Sequence, residues 1–180
     1  MTVKRKNGGF HHIAIEVANM EKSIAFYRDL LGLRLTEQHE ASEVPQIPVA
    51  LAFLRSSDEH HDLVLAHNPS KKYRERTPED DTEGLPGFHH FAFQMESREA
   101  WLAQLDKVNK LGIEIVRGPV VHSPWHPRGE GSWGENESFY IFDPDGHRVE
   151  MFCDMATIET DGAYVDAYGA KIDGPTAVEI

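Results

Sequence analysis

The same pattern of hydrophobic and polar residues occurs twice along the chain. Apolar and polar positions alternate over residues 10–17, and a closely similar segment follows at residues 88–95. Alternation with a period of two predicts a β-strand in each segment. Apolar residues at helical spacing then follow over about residues 20–31 in the first copy and 97–111 in the second. A glycine succeeds the last leucine of each helical segment, as is common just beyond a helix C-terminus, so each copy predicts a strand followed by a helix.

Short strand patterns follow each of the two predicted helices. They lie at residues 33–38, 49–55 and 62–66 in the first half and at residues 113–117, 138–142 and 147–153 in the second. Residues 143–146, with the sequence Asp-Pro-Asp-Gly, have the residue types that a type I turn favours and join the last two strands. Each half is therefore a predicted βαβββ module, with module 1 at about residues 8–67 and module 2 at about residues 87–155. The predicted fold class is α+β, with the two modules paired into a cupped, incompletely closed β-barrel around a shared cavity.

Three segments lie outside this repeat. Residues 68–86 are charged, contain proline and have few apolar side chains, which predicts a linker. Residues 118–137 are rich in glycine and proline and predict a long loop, and residues 156–180 predict a small polar tail. Because modules of this size are only marginally stable alone, the two are expected to pack together as one domain over residues 1–180.

Composition narrows the classes of partner. The chain has 18 Lys and Arg residues against 30 Asp and Glu residues, which gives a net charge of −12. A chain this acidic creates no field that would attract nucleic acid or an anionic membrane. No segment approaches the roughly 18 consecutive apolar residues of a membrane span, and no apolar signal region follows the basic N-terminus. A single cysteine provides no disulfide framework and no cysteine-based zinc or iron–sulfur site, so a reducing, cytoplasmic location is expected.

Among the eleven histidines, His12 and His90 occupy equivalent positions in the repeat. Because strand side chains alternate, His12 shares a face with Ala14, while the apolar residues of the strand occupy the other face and are expected to pack under the helix. His90 and Ala92 repeat this arrangement in the second copy. Both histidines are therefore predicted to face the shared cavity, where the small alanines leave room beside each imidazole. A pair of metal ligands is the first interpretation, and hydrogen-bonded core histidines are the alternative.

A carboxylate in the last strand provides a third ligand. Glu150 has apolar neighbours on both sides, and a buried carboxylate is costly unless it is paired, hydrogen-bonded or bound to a metal. The alternative is a salt bridge to a neighbour such as Arg148. Alignment of the two modules places Val64 opposite Glu150, so the first half has no equivalent carboxylate. Two histidines and one carboxylate with open positions suit a non-haem Fe(II) centre that holds substrate and O2 together, and Mn(II) or zinc would fit the same ligands.

Several motifs resemble those of the vicinal oxygen chelate (glyoxalase/bleomycin resistance/extradiol dioxygenase) superfamily. Residues 10–17 together with 23–33 are characteristic of the superfamily as a whole, and the similarity covers roughly residues 10–155. Residues 117–122 and 138–152 resemble the C-terminal motif of type I extradiol ring-cleaving dioxygenases, here of the single-domain kind. The resemblance implies an Fe(II)-dependent oxidoreductase of aromatic catabolism that cleaves the ring of a catechol, incorporates both atoms of O2 and yields a ring-opened semialdehyde acid. It also implies a homo-oligomer whose small-molecule partners are the aromatic diol and O2.

The resemblance assigns roles to individual residues. It implies His12, His90 and Glu150 as metal ligands, His61, His122 and Tyr140 as catalytic residues, and Arg117, His122 and Tyr140 as substrate-binding residues. Within this set His61 is the acid/base near the O2 position. Strand alternation, by contrast, places His61 on the face opposite Val64, so that it reaches the metal only from a twisted or bulged strand start. A solvent-exposed position in a hairpin is the alternative for His61.

Two other functions stay open. A glyoxalase-like isomerase or lyase, or an epimerase, would use the same fold with a divalent metal. These enzymes commonly take a fourth protein ligand or a carboxylate base from the first module, where Val64 stands. A non-catalytic protein that binds small molecules would also use this fold, but it would need no metal ligands.

Overall fold

The structure, a computed structural model, describes residues 10–43, 45–77, 80, 87–159, 163–166 and 169–172. The chain divides into two compact units. Among the described residues, the N-terminal unit extends to Gly87 and also includes Asp143–His147, and the C-terminal unit comprises Phe88–Phe142 and the residues from Arg148 onward. Each unit contains a four-stranded mixed sheet and one helix, which confirms the α+β class, and neither sheet closes on itself in the described residues. Neither of the described helices has the length and apolar content that crossing a membrane requires.

The N-terminal unit is built on a sheet whose elements follow the predicted order. They are β1 (Ile13–Glu16), α1 (Met20–Leu31), β2 (Arg34–His39), β3 (Ala50–Arg55) and β4 (Leu63–His67). The strand order is β1-β4-β3-β2, with β1 parallel to β4 and the other neighbours antiparallel. The predicted phase of β1 is confirmed, since Ile15 and Val17 are buried while His12 and Ala14 are exposed.

The two ends of α1 satisfy backbone groups that the helix itself leaves unpaired. The side chain of Asn19 accepts a hydrogen bond from the backbone N–H of Lys22 (2.9 Å) at the N-terminus. Gly32 adopts a left-handed conformation (φ 74°) past the C-terminus, and its N–H donates to the carbonyl of Arg28 (3.0 Å). Between these ends the helix buries apolar side chains such as Leu30 and packs on β4. The residues flanking α1 therefore account for both of its boundaries.

The C-terminal unit repeats this topology and adds three short strands. Its elements are β5 (Phe91–Gln94), α2 (Arg98–Lys110), β6 (Arg117–His122), β7 (Asn136–Phe142), β8 (Arg148–Cys153), β9 (Thr157–Ile158), β10 (Tyr164–Val165) and β11 (Lys171–Ile172). The order β5-β8-β7-β6 corresponds strand for strand to that of the other sheet, with β5 parallel to β8. In α2 the buried indole of Trp101 packs near Phe139 and donates to the carbonyl of Met151 (2.9 Å), which fastens the helix to the sheet.

Strand register defines equivalent positions in the two sheets. Ala14 in β1 pairs with Val64 in β4, and Ala92 in β5 pairs with Glu150 in β8. The alignment that places Val64 opposite Glu150 is therefore confirmed in the folded chain. The same backbone arrangement holds an apolar side chain at this point in one unit and a carboxylate in the other.

Some boundaries in the second half differ from the prediction. The strand predicted at residues 113–117 was placed wrongly, because β6 begins at the last of these residues and occupies the start of the predicted loop at 118–137. A register shift between Arg117 and Val120 breaks the alternation that would have revealed β6. The predicted polar tail at 156–180 contains a small antiparallel sheet in the order β11-β10-β9. The other parts of the predicted linker and tail, residues 78–79, 81–86, 160–162, 167–168 and 173–180, lie outside the described residues.

The turn between β7 and β8 belongs to the N-terminal unit. Asp143 accepts a hydrogen bond from the hydroxyl of Tyr27 in α1 (2.7 Å), and Asp145 accepts one from the hydroxyl of Ser23 (2.8 Å). Burial of Tyr27, together with the charge of Asp143, raises the pKa of this tyrosine well above its usual range. The two carboxylates of the predicted Asp-Pro-Asp-Gly turn therefore bind α1 as well as shaping the turn.

Candidate metal centre and its hydrogen-bond network

Glu150, the predicted carboxylate ligand, is buried in β8 with 5% of its surface exposed. Its Oε1 accepts hydrogen bonds from the hydroxyl of Ser138 (2.5 Å) and from the side-chain amide of Asn136 (3.3 Å), both in β7. Its Oε2 lies 3.1 Å from Nε2 of His90. Arg148, the alternative partner from the sequence, has a guanidinium nitrogen 3.4 Å from Nε2 of His89. The neighbours in β7 therefore orient one oxygen of Glu150, and the other oxygen faces His90.

His90 immediately precedes β5 and is partly exposed. Burial lowers the pKa of this imidazole, and this effect outweighs the opposing attraction of the Glu150 carboxylate, so the neutral form is favoured. A neutral imidazole next to a carboxylate is a donor combination that divalent metals commonly take from proteins. The C-terminal unit therefore presents two donor atoms suited to a metal, 3.1 Å apart.

His12, the third predicted ligand, belongs to the N-terminal unit. It precedes β1, is exposed, and has its ring centroid 4.7 Å from that of His61. His11 completes a cluster in which one ring nitrogen from each of the three histidines lies within 4.8 Å of the others. His61 lies two residues before the start of β4. The structure therefore brings His12 together with His61 in one unit and His90 together with Glu150 in the other.

Tyr140 and His122, both predicted to act on the substrate, are in contact with each other. Tyr140 pairs with Glu150 across β7 and β8, and its ring centroid lies 5.6 Å from that of His90. The hydroxyl of Tyr140 is 2.9 Å from Nε2 of His122 in β6. Burial and the nearby Glu150 carboxylate raise the pKa of Tyr140 to about 12, so the phenol keeps its proton at neutral pH. The phenol can therefore donate this proton to Nε2 of His122.

Arg117, the last predicted site residue, joins this network through Glu130, which sequence reasoning missed. Oε1 of Glu130 lies 2.6 Å from the guanidinium of Arg117 and 2.7 Å from Nδ1 of His122. The hydroxyl of Ser132 donates to the same oxygen (2.6 Å) and lies 2.8 Å from Nδ1 of His122. The hydrogen bond from Ser132, followed by that from Arg117, lowers the pKa of Glu130 despite the opposing effect of partial burial. Arg117, Glu130, His122 and Tyr140 therefore form one hydrogen-bonded chain.

Sequence reasoning also missed other residues near the site, and only some of them follow a periodic pattern that could have identified them. Asn136 and Ser138 lie two residues apart in β7 and alternate with Tyr140, so strand phase could have placed them on the face of the predicted site. Glu130 and Ser132 lie between β6 and β7, where no periodicity marks them. Strand phase could therefore have found the partners of Glu150 but not Glu130 and Ser132, the residues at Nδ1 of His122.

The sequence model of the Glyoxalase/Bleomycin resistance protein/Dioxygenase superfamily matches residues 9–151. Among similar proteins, metapyrocatechase of Pseudomonas sp. (strain CF600) is 27% identical over 147 residues, which are 80% of this chain and 38% of that protein. Biphenyl-2,3-diol 1,2-dioxygenase 3 of Rhodococcus globerulus is 29% identical over 168 residues, which are 92% of this chain and 75% of that protein. Lactoylglutathione lyase of Neisseria meningitidis serogroup A is 28% identical over 145 residues, which are 78% of this chain and 86% of that protein.

Solved structures give a similar result for the fold. The glyoxalase family protein from Enterococcus faecalis is 25% identical, with a TM-score of 0.53, and the match covers 79% of this chain and 94% of that chain. Among the relatives, the chain spans well under half of metapyrocatechase but most of the lyase and of the biphenyl-diol dioxygenase.

Proposed function

Since this chain belongs to the Glyoxalase/Bleomycin resistance protein/Dioxygenase superfamily, we propose that it is a non-haem Fe(II)-dependent extradiol dioxygenase. The proposed reaction cleaves the aromatic ring of a catechol with O2, incorporates both oxygen atoms and gives a ring-opened semialdehyde acid. Of the three relatives, the one that matches the largest share of this chain bears the name of a dioxygenase for an aromatic diol, which supports this choice.

The observation that carries the proposal is the difference between Val64 and Glu150 at equivalent register positions. Because the N-terminal sheet has no carboxylate here, the duplicated site offers one acidic ligand and leaves positions open for a diol and O2. The carboxylate of β1, Glu16, is on the same strand face as His12 but is hydrogen-bonded by Lys71 and by the hydroxyl of Tyr73. This engagement argues against a second acidic ligand or a carboxylate base from β1.

We assign the metal to His12, His90 and Glu150, the two repeat-related histidines and the buried carboxylate of β8. The donors suit this role, because the hydroxyl of Ser138 and the amide of Asn136 orient the Glu150 carboxylate in the way that outer partners orient metal ligands. Bound there, Fe(II) would supply adjacent open coordination positions and a path by which electrons of the catechol reach O2, so that the substrate is oxidised and O2 is reduced. Mn(II) would fit the same donors.

Side chains beside the proposed ligands would accept and donate the protons that the reaction transfers. The substrate hydroxyl gives its proton to the oxygen of Tyr140 while Tyr140 passes its own proton to Nε2 of His122. The separation of 2.9 Å between hydroxyl and imidazole permits this second transfer without movement of either side chain. We assign to His61, whose ring centroid lies 4.7 Å from that of His12, the general-acid role of donating a proton during ring opening, a role that imidazoles commonly take.

Oxygen uptake by the whole chain tests the proposed reaction. The protein is purified without O2, loaded with Fe(II) and mixed with a panel of catechols, and O2 consumption and a yellow ring-cleavage product are followed. With isotopically labelled O2, we expect the product of at least one catechol to gain both oxygen atoms. If protein with bound iron consumes no O2 with any catechol, the chain is not an extradiol dioxygenase.

Neighbouring histidines provide a matched control for the ligand assignment. His89 adjoins His90 in the sequence and in space, with their Nδ1 atoms 2.6 Å apart, but it is not among the assigned ligands. We expect His90→Ala and Glu150→Ala to lose iron and His89→Ala to retain it, as measured by iron per chain after gel filtration. If both ligand variants retain iron, His90 and Glu150 are not the metal ligands. The enzyme class would then be tested by the oxygen assay alone.

A second candidate is a lyase of the kind named lactoylglutathione lyase. The observation that favours it is sequence similarity, since the lyase of Neisseria meningitidis serogroup A is 28% identical over 78% of this chain, close to the 27% over 80% of metapyrocatechase. The metal-loaded protein would then form or cleave lactoylglutathione, which chromatography measures directly. We expect no such activity, because Val64 stands where the lyase reading needs a carboxylate from the first half.

A further inference from the structure

The imidazole of His122 is held by hydrogen bonds at both of its nitrogens. Nε2 faces the hydroxyl of Tyr140 at 2.9 Å, while Nδ1 faces Oε1 of Glu130 at 2.7 Å and Oγ of Ser132 at 2.8 Å. His122 is buried, with 7% of its surface exposed. The orientation of the ring is therefore fixed, and its chemistry depends on which nitrogen carries the hydrogen.

The neighbours of Nδ1 require the hydrogen to be on that nitrogen. The carboxylate of Glu130 can only accept, and the single hydrogen of the Ser132 hydroxyl is already donated to that carboxylate. Both oxygens near Nδ1 are therefore acceptors, and an unprotonated Nδ1 would direct its lone pair at them. With the hydrogen on Nδ1, Nε2 keeps a lone pair that accepts the phenol proton of Tyr140.

The fold holds Glu130 in this position. Its backbone N–H donates to the carbonyl of Val121 (3.0 Å), which ties the segment after β6 back to the strand that carries His122. The guanidinium of Arg117, at the other end of β6, lies 2.6 Å from the carboxylate. Glu130 is therefore placed by main-chain and side-chain contacts that do not involve the substrate.

We propose that Glu130 is a positioning residue that keeps the hydrogen of His122 on Nδ1, so that Nε2 receives the proton of Tyr140. The inference rests on the proposed function, because it concerns the same proton transfer. As the substrate O–H bond breaks, its proton bonds to the Tyr140 oxygen, and the former phenol proton bonds to Nε2. The imidazolium that forms has a hydrogen on each nitrogen, and its positive charge lies against the Glu130 carboxylate. The proton returns from Nε2 of His122 through the oxygen of Tyr140 to the substrate later in the reaction.

Three variants separate charge, hydrogen bonding and general damage to the fold. Glu130→Leu removes both the charge and the acceptor, and it releases the hydroxyl hydrogen of Ser132 for donation to Nδ1 of His122. Glu130→Gln keeps an acceptor oxygen without the charge. Glu159→Leu is the matched control, because Glu159 belongs to the same unit but is ion-paired with Lys171, outside this network.

The first measurement does not depend on activity. In nitrogen-15-labelled protein without added metal, NMR of the His122 ring nitrogens, assigned by their loss in His122→Gln, shows which nitrogen is protonated. We expect the hydrogen on Nδ1 in the unmodified protein, in Glu130→Gln and in Glu159→Leu, and a shift toward Nε2 in Glu130→Leu. A hydrogen on Nε2 in the unmodified protein, or no shift in Glu130→Leu, would overturn the proposal.

The second measurement is turnover of the iron-loaded enzyme with a catechol that it cleaves. We expect kcat to fall roughly 10- to 100-fold in Glu130→Leu, with KM little changed, as for loss of a correctly oriented general base. Glu130→Gln should recover part of this loss, and Glu159→Leu should match the unmodified enzyme. If a catechol is cleaved and Glu130→Leu turns over normally, the proposal fails while the proposed function holds. If the NMR shift occurs but no catechol is cleaved, the proposed function fails and Glu130 orients His122 for another reaction.

Discussion

The two units carry different layers of side chains on the same sheet. In the C-terminal sheet Tyr140 pairs with Glu150, and the equivalent pair in the N-terminal sheet is Phe53 with Val64. The polar pair contacts further hydrogen-bonding groups, whereas the rings nearest Phe53 are histidines, including His61 at 5.1 Å between centroids. A single backbone arrangement therefore supports either an apolar layer or a polar network.

The polar layer depends on all of its members. Ser138, a member of this layer, occupies the position that Leu51 occupies in the other sheet. A buried polar group is stable only when its hydrogen-bonding partners are present, so removal of one member leaves others unsatisfied. Apolar residues can be exchanged singly at the cost of packing alone. The difference between the units thus indicates that a sheet of this topology is more stable with a wholly apolar layer or a wholly polar layer than with a mixture of apolar and polar residues.

Glu150→Val, which makes the C-terminal sheet like the N-terminal one at this point, should have the largest effect. We expect loss of iron binding and of all O2 uptake, because the one acidic ligand is removed and Ser138 and Asn136 lose their acceptor. Iron per chain and O2 consumption measure this. Glu150→Gln, which keeps the side-chain shape, guards against misfolding, and Val64→Ala is the matched change in the other unit. Normal iron content in Glu150→Gln would mean that this position does not bind the metal.

Gly118→Ala should have the next largest effect and concerns the edge strands. Both β2 and β6 contain a register shift, but β6 has Gly118 (φ 90°) at its irregularity, where a Cβ atom would lie 2.6 Å from the carbonyl oxygen of Ser138. We expect a loss of about 2–4 kcal/mol in the free energy of unfolding, measured by urea denaturation. Gly131→Ala, at φ 86° with no atom within 4 Å of its Cβ, should cost only about 1 kcal/mol. Equal losses would mean that backbone conformation matters and the contact with β7 does not.

The parts of the fold that repeat a local period could be predicted from the sequence. Alternation in β1 and helical spacing in α1 are local properties, and the repeat then placed Val64 against Glu150 although no local pattern links them. β6 was misplaced because its register shift interrupts the alternation. β9, β10 and β11 have two residues each, which is too short for a period to be recognised.

The residues of the candidate site likewise fall into those that a local pattern predicts and those that only the folded chain brings together. Strand phase identified the exposed face that carries His12, and apolar neighbours made Glu150 stand out as a charge that needs a partner. Glu130 reaches His122 only through the folded segment between β6 and β7, where backbone bonds such as Gly131 N–H to the Ser123 carbonyl (3.2 Å) set its course. Contacts of this kind depend on tertiary structure, so they cannot be predicted from a periodic pattern in the sequence.

Glu137 lies on the opposite face of β7 from Ser138 and Tyr140, and its buried charge can be tested through pH. Burial alone would raise the pKa of this carboxyl, but Arg98 (2.6 Å) and Arg128 (3.0 Å) lower it more, so the net pKa is lowered. The folded carboxyl then holds its proton less tightly than the unfolded one, so its stabilisation is present above an unfolded pKa of about 4.3 and is lost as pH falls through the folded value. We expect Glu137→Ala to cost about 2–3 kcal/mol at neutral pH, measured by urea denaturation.

The deficit of Glu137→Ala should shrink as the medium is acidified into the range where the carboxyl of the unmodified protein takes up a proton. A deficit that stays constant from neutral to acidic pH would show that packing, and not the two arginines, accounts for the cost. The equivalent residue in the other sheet, Ala50, contributes no titrating group, so Ala50→Gly should lower stability equally at every pH at which the protein is folded.

Exchanging Tyr140 and Phe53, each for the residue type of the other, should have the smallest effect on stability. The pair distinguishes the effect of position in the sheet from the effect of the surrounding side chains. Tyr140→Phe removes the donor to Nε2 of His122, and we expect it to cost about 1 kcal/mol of unfolding free energy. Phe53→Tyr adds a hydroxyl at the equivalent, partly exposed position, where we expect a change of less than about 0.5 kcal/mol. Urea denaturation of both variants without metal measures the difference. Because the two side chains occupy the same register position, unequal costs must come from their surroundings, and equal costs would mean that the His122 contact contributes nothing to stability.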